Sequence, residues 1–373
     1  MRIGIITIVL NENYGGILQA YALQKVLKDM GHNVTHIDRW RGFHMTFWGK
    51  CLSYPKRFIQ KHLFGKDIAI RPDVKIENDI KIISTHTRHF IDKHIKRIIT
   101  KDFTNIKRGD FDAFVVGSDQ IWRARASRPQ LNNVYLEFAK DWEVKRIAYA
   151  ASFGTDEWEY TPEETTLCSN LIKLFNVVTV REKSAVSICK ERYGINATFV
   201  LDPTMLVNRE TYNKLFIDSG TPQSDGELFC YILDKSNEKD TLITDIANKT
   251  GYKPFYVNSK YQDITAPIAE RIQPKVEEWL RAFYDAKFVI TDSFHACVFS
   301  IIYNKPFIVY KNETRGNTRF DSLLQTFNLE DRAFTKERDT ALILNSQIDW
   351  SAINKTLQTL KESSYKILKS SLM

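Results

Sequence analysis

No stretch of this 373-residue chain approaches the roughly 20 consecutive apolar residues that a membrane-spanning helix needs. The N-terminal apolar run, Ile3 to Leu10, meets Asn11-Glu12-Asn13 rather than a small-residue cleavage site, and so does not read as a signal peptide. Cysteine is sparse. The five present (Cys51, Cys168, Cys189, Cys230, Cys297) are dispersed and never form CxxC, which argues against a disulfide framework or a thiolate zinc site and for a reducing cytoplasm. GxxxxGK[ST], HExxH and GxSxG are missing, so P-loop NTPase, zinc hydrolase and serine hydrolase readings have no footing. The GxGxxG dinucleotide fingerprint is missing too, and NAD binding is not expected. Histidine almost vanishes after His94: of the eight, only His295 lies in the last 279 residues.

What is present is ordinary globular composition, 43% hydrophobic and 26% charged, in a chain long enough for two domains. Arg2 to Val9 is a continuous, β-branched apolar run, as expected of a parallel strand buried on both faces. A turn (Asn13-Tyr14-Gly15-Gly16), a helix carrying Leu18, Ala22, Leu23, Val26 and Leu27 on one face, a stop at Gly31 and a second strand at Val34–Asp38 complete a β-α-β unit. Further strands end at Val116, Ala151, Val180 and Leu201, each running into polar or small residues. The pattern predicts an N-terminal α/β domain over 1–216, a linker over 217–226, a second α/β domain over 227–345 and a long C-terminal helix over 346–373. Two Rossmann-like α/β domains facing a central cleft, with a terminal helix, is a GT-B-like architecture. A periplasmic-binding-protein-like pair of domains is the runner-up, disfavoured by the lack of a signal peptide.

Charge is unevenly placed. Residues 1–108 hold 20 of the 53 Lys and Arg but 9 of the 45 Asp and Glu, so this segment carries +11 and the rest −3. Arg41 to Lys66 has six basic residues, no acid and six aromatics (Phe43, Phe47, Trp48, Tyr54, Phe58, Phe64). That pattern reads as a solvated face, as contact with an anionic membrane surface, or as nucleic-acid binding. With no recognised nucleic-acid module, that last reading is set aside.

In open α/β sheets ligands bind outside the carboxyl ends of the strands, so strand-end residues are the chemical candidates. His295 opens a helix after such an end, where unpaired N–H groups and the dipole favour an anion, and Asp292 or Ser293 would cap that helix. An imidazole there binds phosphate as a cation or passes a proton. Arg181 ends another strand, where a guanidinium can grip a carboxylate or phosphate or pair with Glu182. Asp119, in Gly117-Ser118-Asp119-Gln120, is either a general base for a hydroxyl or a turn-stabilising Asx residue.

Seven segments, in order, resemble the polysaccharide pyruvyl transferase family: Asn13 to Leu23, Val116 to Trp122, Ala151 to Gly154, Val180 to Glu182, Leu201 to Thr204, Asp292 to His295 and Asn304 to Phe307. The resemblance implies a GT-B-like fold and phosphoenolpyruvate as donor. The product it implies is a pyruvate ketal on a sugar of a surface polysaccharide or its lipid-linked precursor. It implies donor binding by Arg181 and His295, with His295 as proton donor or phosphate clamp; Ser293, Arg315 and Arg319 are further candidates for the donor side. Better-studied members carry an Arg two residues before this histidine; here that position is Ser293, and Arg315 or Arg319 is expected to supply the missing cation. The acceptor is expected against Asn13, Tyr14, Gly16, Ser118, Asp119, Gln120 and Trp122, the indole serving as a stacking platform. Neither a metal nor a redox cofactor is called for; phosphoenolpyruvate is a co-substrate. The alternatives are a nucleotide-sugar glycosyltransferase of GT-B type and a non-catalytic glycan-binding protein. The expected location is the cytoplasm, with residues 41–66 offering contact to the inner face of the membrane.

Overall fold

The computed structural model describes residues 1–39, 46–311, 316–335 and 339–373. Its first half is built on a seven-stranded parallel sheet: β1 (Arg2–Ile6), β2 (Asn33–Arg39), β3 (Arg97–Thr100), β4 (Ala113–Val116), β5 (Lys145–Ala151), β6 (Val177–Val180) and β7 (Thr198–Phe199), in the order β3-β2-β1-β4-β5-β6-β7. The second half holds a four-stranded parallel sheet of β8 (Leu228–Tyr231), β9 (Pro254–Phe255), β10 (Phe288–Thr291) and β11 (Phe307–Val309), in the order β11-β10-β8-β9. The apolar runs read from the sequence become these strands because helices cover both sheet faces; β4 and β8 are buried at every position. The GT-B-like arrangement of two α/β domains and a C-terminal helix is realised.

The strand order reverses between β1 and β4 in the first sheet and between β8 and β10 in the second. Such switch points open a crevice beyond the strand ends, because the connecting helices leave in opposite directions. Helix α1 (Tyr14–Asp29) follows β1, and the helix Phe294–Ile302 follows β10.

The two halves share one apolar core running from Ile3 and Leu23 through Tyr212 to Trp279 and Phe299. Tyr14 is a pin in it. Its ring packs against Tyr231 and Trp279 (centroids 6.2 and 5.7 Å apart), and its hydroxyl donates to the Pro274 carbonyl at 2.8 Å. The helix Arg209–Asp218 packs on the helix Val276–Asp285 of the second half. The C-terminal helix Trp350–Leu372 returns to the first half, where Ser364 Oγ accepts from the Leu201 N–H at 3.0 Å.

The basic segment is an insertion between β2 and β3. Its described part forms α2 (Phe47–His62), α3 (Pro72–Ile83) and α4 (Thr85–His94); residues 41–45 lie outside the described residues. No helix among the described residues is long and apolar enough to cross a membrane.

Candidate active site

A cavity of about 450 Å³ lies between the halves. Its wall is drawn from the strand ends that flank both switch points: Ile8 and Asn13 after β1, Asp119 and Gln120 after β4, Leu233 after β8, and Asp292 to His295 after β10. Arg319 and Phe320, from the first turn of the helix Thr318–Phe327, close one side. Asp292 ties the second switch point together. Its carboxylate accepts from the Leu233 and Asp234 N–H groups (2.7 and 3.0 Å) and pairs with Lys239 Nζ at 2.7 Å.

Two helix N-termini meet at this cavity. Asn13 caps α1, its Oδ1 accepting from the Gly15 N–H at 3.1 Å, and Ser293 caps the helix Phe294–Ile302 through Ala296. His295 stands between them. A Cβ placed on Gly15 would lie 2.1 Å from His295 Nδ1, so the imidazole occupies the space that only glycine leaves open. Its Nε2 lies 3.8 Å from Asp202 Oδ2, within ion-pair range but beyond a hydrogen bond.

Behind the histidine lies a buried ionic hub. Arg181 donates through Nη1 to Asp202 Oδ2 (2.7 Å), through Nη2 to Asp119 Oδ1 (2.9 Å) and through Nε to Glu182 Oε1 (3.2 Å). Burial pushes the Asp202 carboxyl up, but the imidazole of His295 and the Arg181 charge outweigh it and hold the group far below the ordinary carboxylate range. Asp119 is likewise driven up by burial and then held low by Arg181, His295 and Arg319. For Glu182 burial prevails and its carboxyl is raised. Arg319 is buried; burial first, and the nearby Arg181 charge second, push its guanidinium down to about 10, so it stays a cation at neutral pH. Both guanidinium groups sit over the Phe294 ring, at 4.7 and 5.4 Å from its centroid.

The structure sorts the expected site residues. His295, Ser293, Arg319, Asp119, Asn13 and Gln120 line the cavity together; Arg315 lies outside the described residues. Arg181 does not line it. Each of its guanidinium nitrogens faces a carboxylate, so the expected direct donor grip is corrected to a positioning role: it holds Asp119 and Asp202. Trp122 is 0% exposed and stacks on Tyr135 at 5.1 Å with the rings 9° apart, so it is core and offers no platform to a sugar. Tyr14 is the interdomain pin described above. Gly16 and Ser118 are buried off the cavity, Ser118 Oγ donating to the Ala150 carbonyl at 2.9 Å.

Sequence reasoning passed over Arg123 and Arg125. Arg123, at the N-cap of the short helix Ala124–Ser127, and Arg125 within that helix line the cavity. Arg123 donates to Gln120 Oε1 at 2.8 Å and to Glu159 at 3.2 Å. Their signal was two cations directly after the strand-end segment Val116 to Trp122.

A cleft at paired switch points, walled by arginines and helix N-termini around one histidine, is an arrangement that can hold an anion. A profile of the polysaccharide pyruvyl transferase family matches residues 13–314, and the chain belongs to that family. No curated protein matches the sequence. Solved structures with similar folds include the glycotransferase of kitacinnamycin (10% identity, 100% of this chain and 99% of that one, TM-score 0.49). The UDP-GlcNAc 2-epimerase of Neisseria meningitidis bound to UDP-GlcNAc is another (11% identity, 100% and 99%, TM-score 0.49).

Proposed function

We propose that this protein moves the pyruvyl group of phosphoenolpyruvate onto two hydroxyls of a sugar in a surface polysaccharide or its lipid-linked precursor, releasing phosphate and closing a pyruvate ketal. The observation that carries the reading is His295, set between two helix N-termini in a cation-lined interdomain cavity of a family member.

Phosphoenolpyruvate brings a phosphate and a carboxylate, and several cations must face it. Arg319, Arg123 and Arg125 supply them, and the Ser293-capped helix end adds backbone donors. Arg319 takes the place of the arginine that Ser293 replaces. His295 as imidazolium delivers a proton to the terminal enol carbon, and the adjacent carbon becomes electrophilic. One sugar hydroxyl adds there and passes its proton to the now neutral imidazole; the carbon–oxygen bond to phosphate breaks; the second hydroxyl adds, and its proton leaves on the phosphate. Asp202 faces the imidazole Nε2 across 3.8 Å and helps hold the ring toward the cavity. Asp119, already paired with Arg181 and held acidic, is a weak base, so it serves as a fixed negative wall beside the acceptor side that Asn13 and Gln120 line.

The test is phosphate release from phosphoenolpyruvate with glycan acceptors, with the product read by mass spectrometry as a gain of about 70 Da, the mass of pyruvic acid less water. Thermal-shift titration separates the donors: phosphoenolpyruvate should stabilise the protein and nucleotide sugars should not. Stabilisation by a nucleotide sugar alone would overturn the assignment in favour of glycosyl transfer.

A further inference from the structure

Helix α2 is mounted the wrong way round for a globular surface. Its polar side faces the protein. Tyr54 donates to both oxygens of Asp73 (2.7 and 2.8 Å), Lys50 pairs with Asp73 at 3.2 Å, and Arg57 donates to the Ala69 carbonyl at 3.2 Å. The apolar side faces out: Phe47 is 73% exposed, Trp48 75%, Leu52 75% and Leu63 76%, with Phe58 and Ile59 exposed between them. No residue of the helix is buried. Apolar patches this large on a protein surface mark a contact with another apolar phase.

The charges around the patch select the phase. From Thr46 to Lys66 there are five basic residues and no acid. Lys56, Lys61 and Lys66 are exposed beside the apolar face, and a groove of about 500 Å³ next to the helix is lined by Lys56, Arg57 and Lys66. Aromatic and aliphatic side chains on one face, bordered by lysines, suit the headgroup–acyl boundary of an anionic bilayer, where the rings enter the lipid and the ammonium groups meet phosphates. A second protein surface would have to offer both a long apolar strip and an acidic border; a lipid surface offers both by its nature.

The mount also connects to the cleft. Asp79 of α3 pairs with Arg271 at 3.3 Å, and the Ile83 carbonyl accepts from the Gln273 N–H at 2.9 Å. The Gln273 side chain in turn donates to the Glu12 carbonyl at 3.1 Å, next to Asn13 on the cavity wall.

We propose that α2 and the turn after it form a docking element for an anionic membrane surface, holding the cleft beside the lipid headgroups. The inference stands on α2 itself and is independent of the donor assignment, so its test uses lipid binding rather than turnover.

Full-length protein is floated with vesicles of phosphatidylcholine plus phosphatidylglycerol, and with phosphatidylcholine alone. Wild type should float with the anionic vesicles and at least tenfold less with the neutral ones, and added salt should weaken binding. L52S/F58S/L63S should lose at least tenfold in partitioning, and so should K56E/K61E/K66E. Both should keep the wild-type melting temperature and circular dichroism, because the replaced side chains touch no core. Wild type staying out of the lipid fraction, or both variants floating like wild type, overturns the proposal. A wild-type dimer that the apolar triple variant converts to monomer overturns it as well, by assigning the face to a second copy.

Discussion

Gly15 and His295 share one space across the domain boundary: a methyl group on the first would sit 2.1 Å from Nδ1 of the second. Within a helix, alanine is ordinarily better than glycine by about 0.5–1 kcal/mol. Here the added carbon must push the imidazole away from Asp202 and the cavity. Gly15→Ala should therefore lower kcat by about a hundredfold, the cost of misplacing a proton donor by an ångström or so. Gly16→Ala, whose added carbon would approach Ile8 at 3.2 Å, should be much milder. Phosphate-release kinetics on both variants decide it; full activity in Gly15→Ala would show that the imidazole's position is not required.

Asp202 joins the site to the stability of the fold. Its carboxyl is held low in the native state, so the stability it contributes is present above the unfolded carboxyl pKa of about 3.9 and is lost as pH falls toward the native value. Asp202→Asn removes one of the three carboxylates around buried Arg181 and should cost about 3 kcal/mol near neutrality. The melting-temperature gap between wild type and Asp202→Asn should be constant from about pH 7 to pH 5 and should close below about pH 4. Activity should also fall in this variant, because His295 loses the carboxylate facing its Nε2. A gap that widens toward acid would contradict the depressed pKa.

The strand ends were legible because buried parallel strands are continuous apolar runs, and the polar residues that stop them stand out. His295 was legible because no other histidine shares its half of the chain. Burial of the aromatics was not. Trp122 and Tyr14 sit in strand-end segments that look alike whether the ring faces ligand or core. What decides is a distant partner, Tyr135 for one and Pro274 with Trp279 for the other. The role of Arg181 was hidden for the same reason, since Asp119 and Asp202 come from two other strand ends. In α2 the composition gave a basic, aromatic stretch, but its orientation depends on Asp73, which turns Tyr54 and Lys50 inward. Strand β3 was missed because it is an edge strand, half exposed and mixed in polarity.

The division between core and cleft can be separated experimentally. Trp122→Ala should cost about 3–5 kcal/mol of stability, the usual range for truncating a buried aromatic. In what remains folded, the acceptor KM should be unchanged. Gln120→Ala should leave the melting temperature nearly untouched and raise the acceptor KM severalfold, because Gln120 is on the cavity wall. The reverse pattern, read from thermal melts and acceptor titrations, would restore the indole as the sugar platform.

Arg319 offers the sharpest test of the donor side. Burial and the neighbouring Arg181 charge bring its guanidinium down to about 10, far enough above neutral pH to keep it charged. A lysine begins about two pH units lower, and the same burial and Arg181 charge would lower it further. Arg319→Lys should then bind phosphoenolpyruvate only a fewfold more weakly than wild type at pH 7. As pH rises above neutral its KM should climb earlier and more steeply than that of wild type, as the ammonium loses its proton. Arg319→Ala should show the high KM at every pH. Donor titrations across that range read the result directly. If Arg319→Lys tracks wild type at pH 9, the cation that replaces the arginine missing at Ser293 must be sought in Arg123 or Arg125.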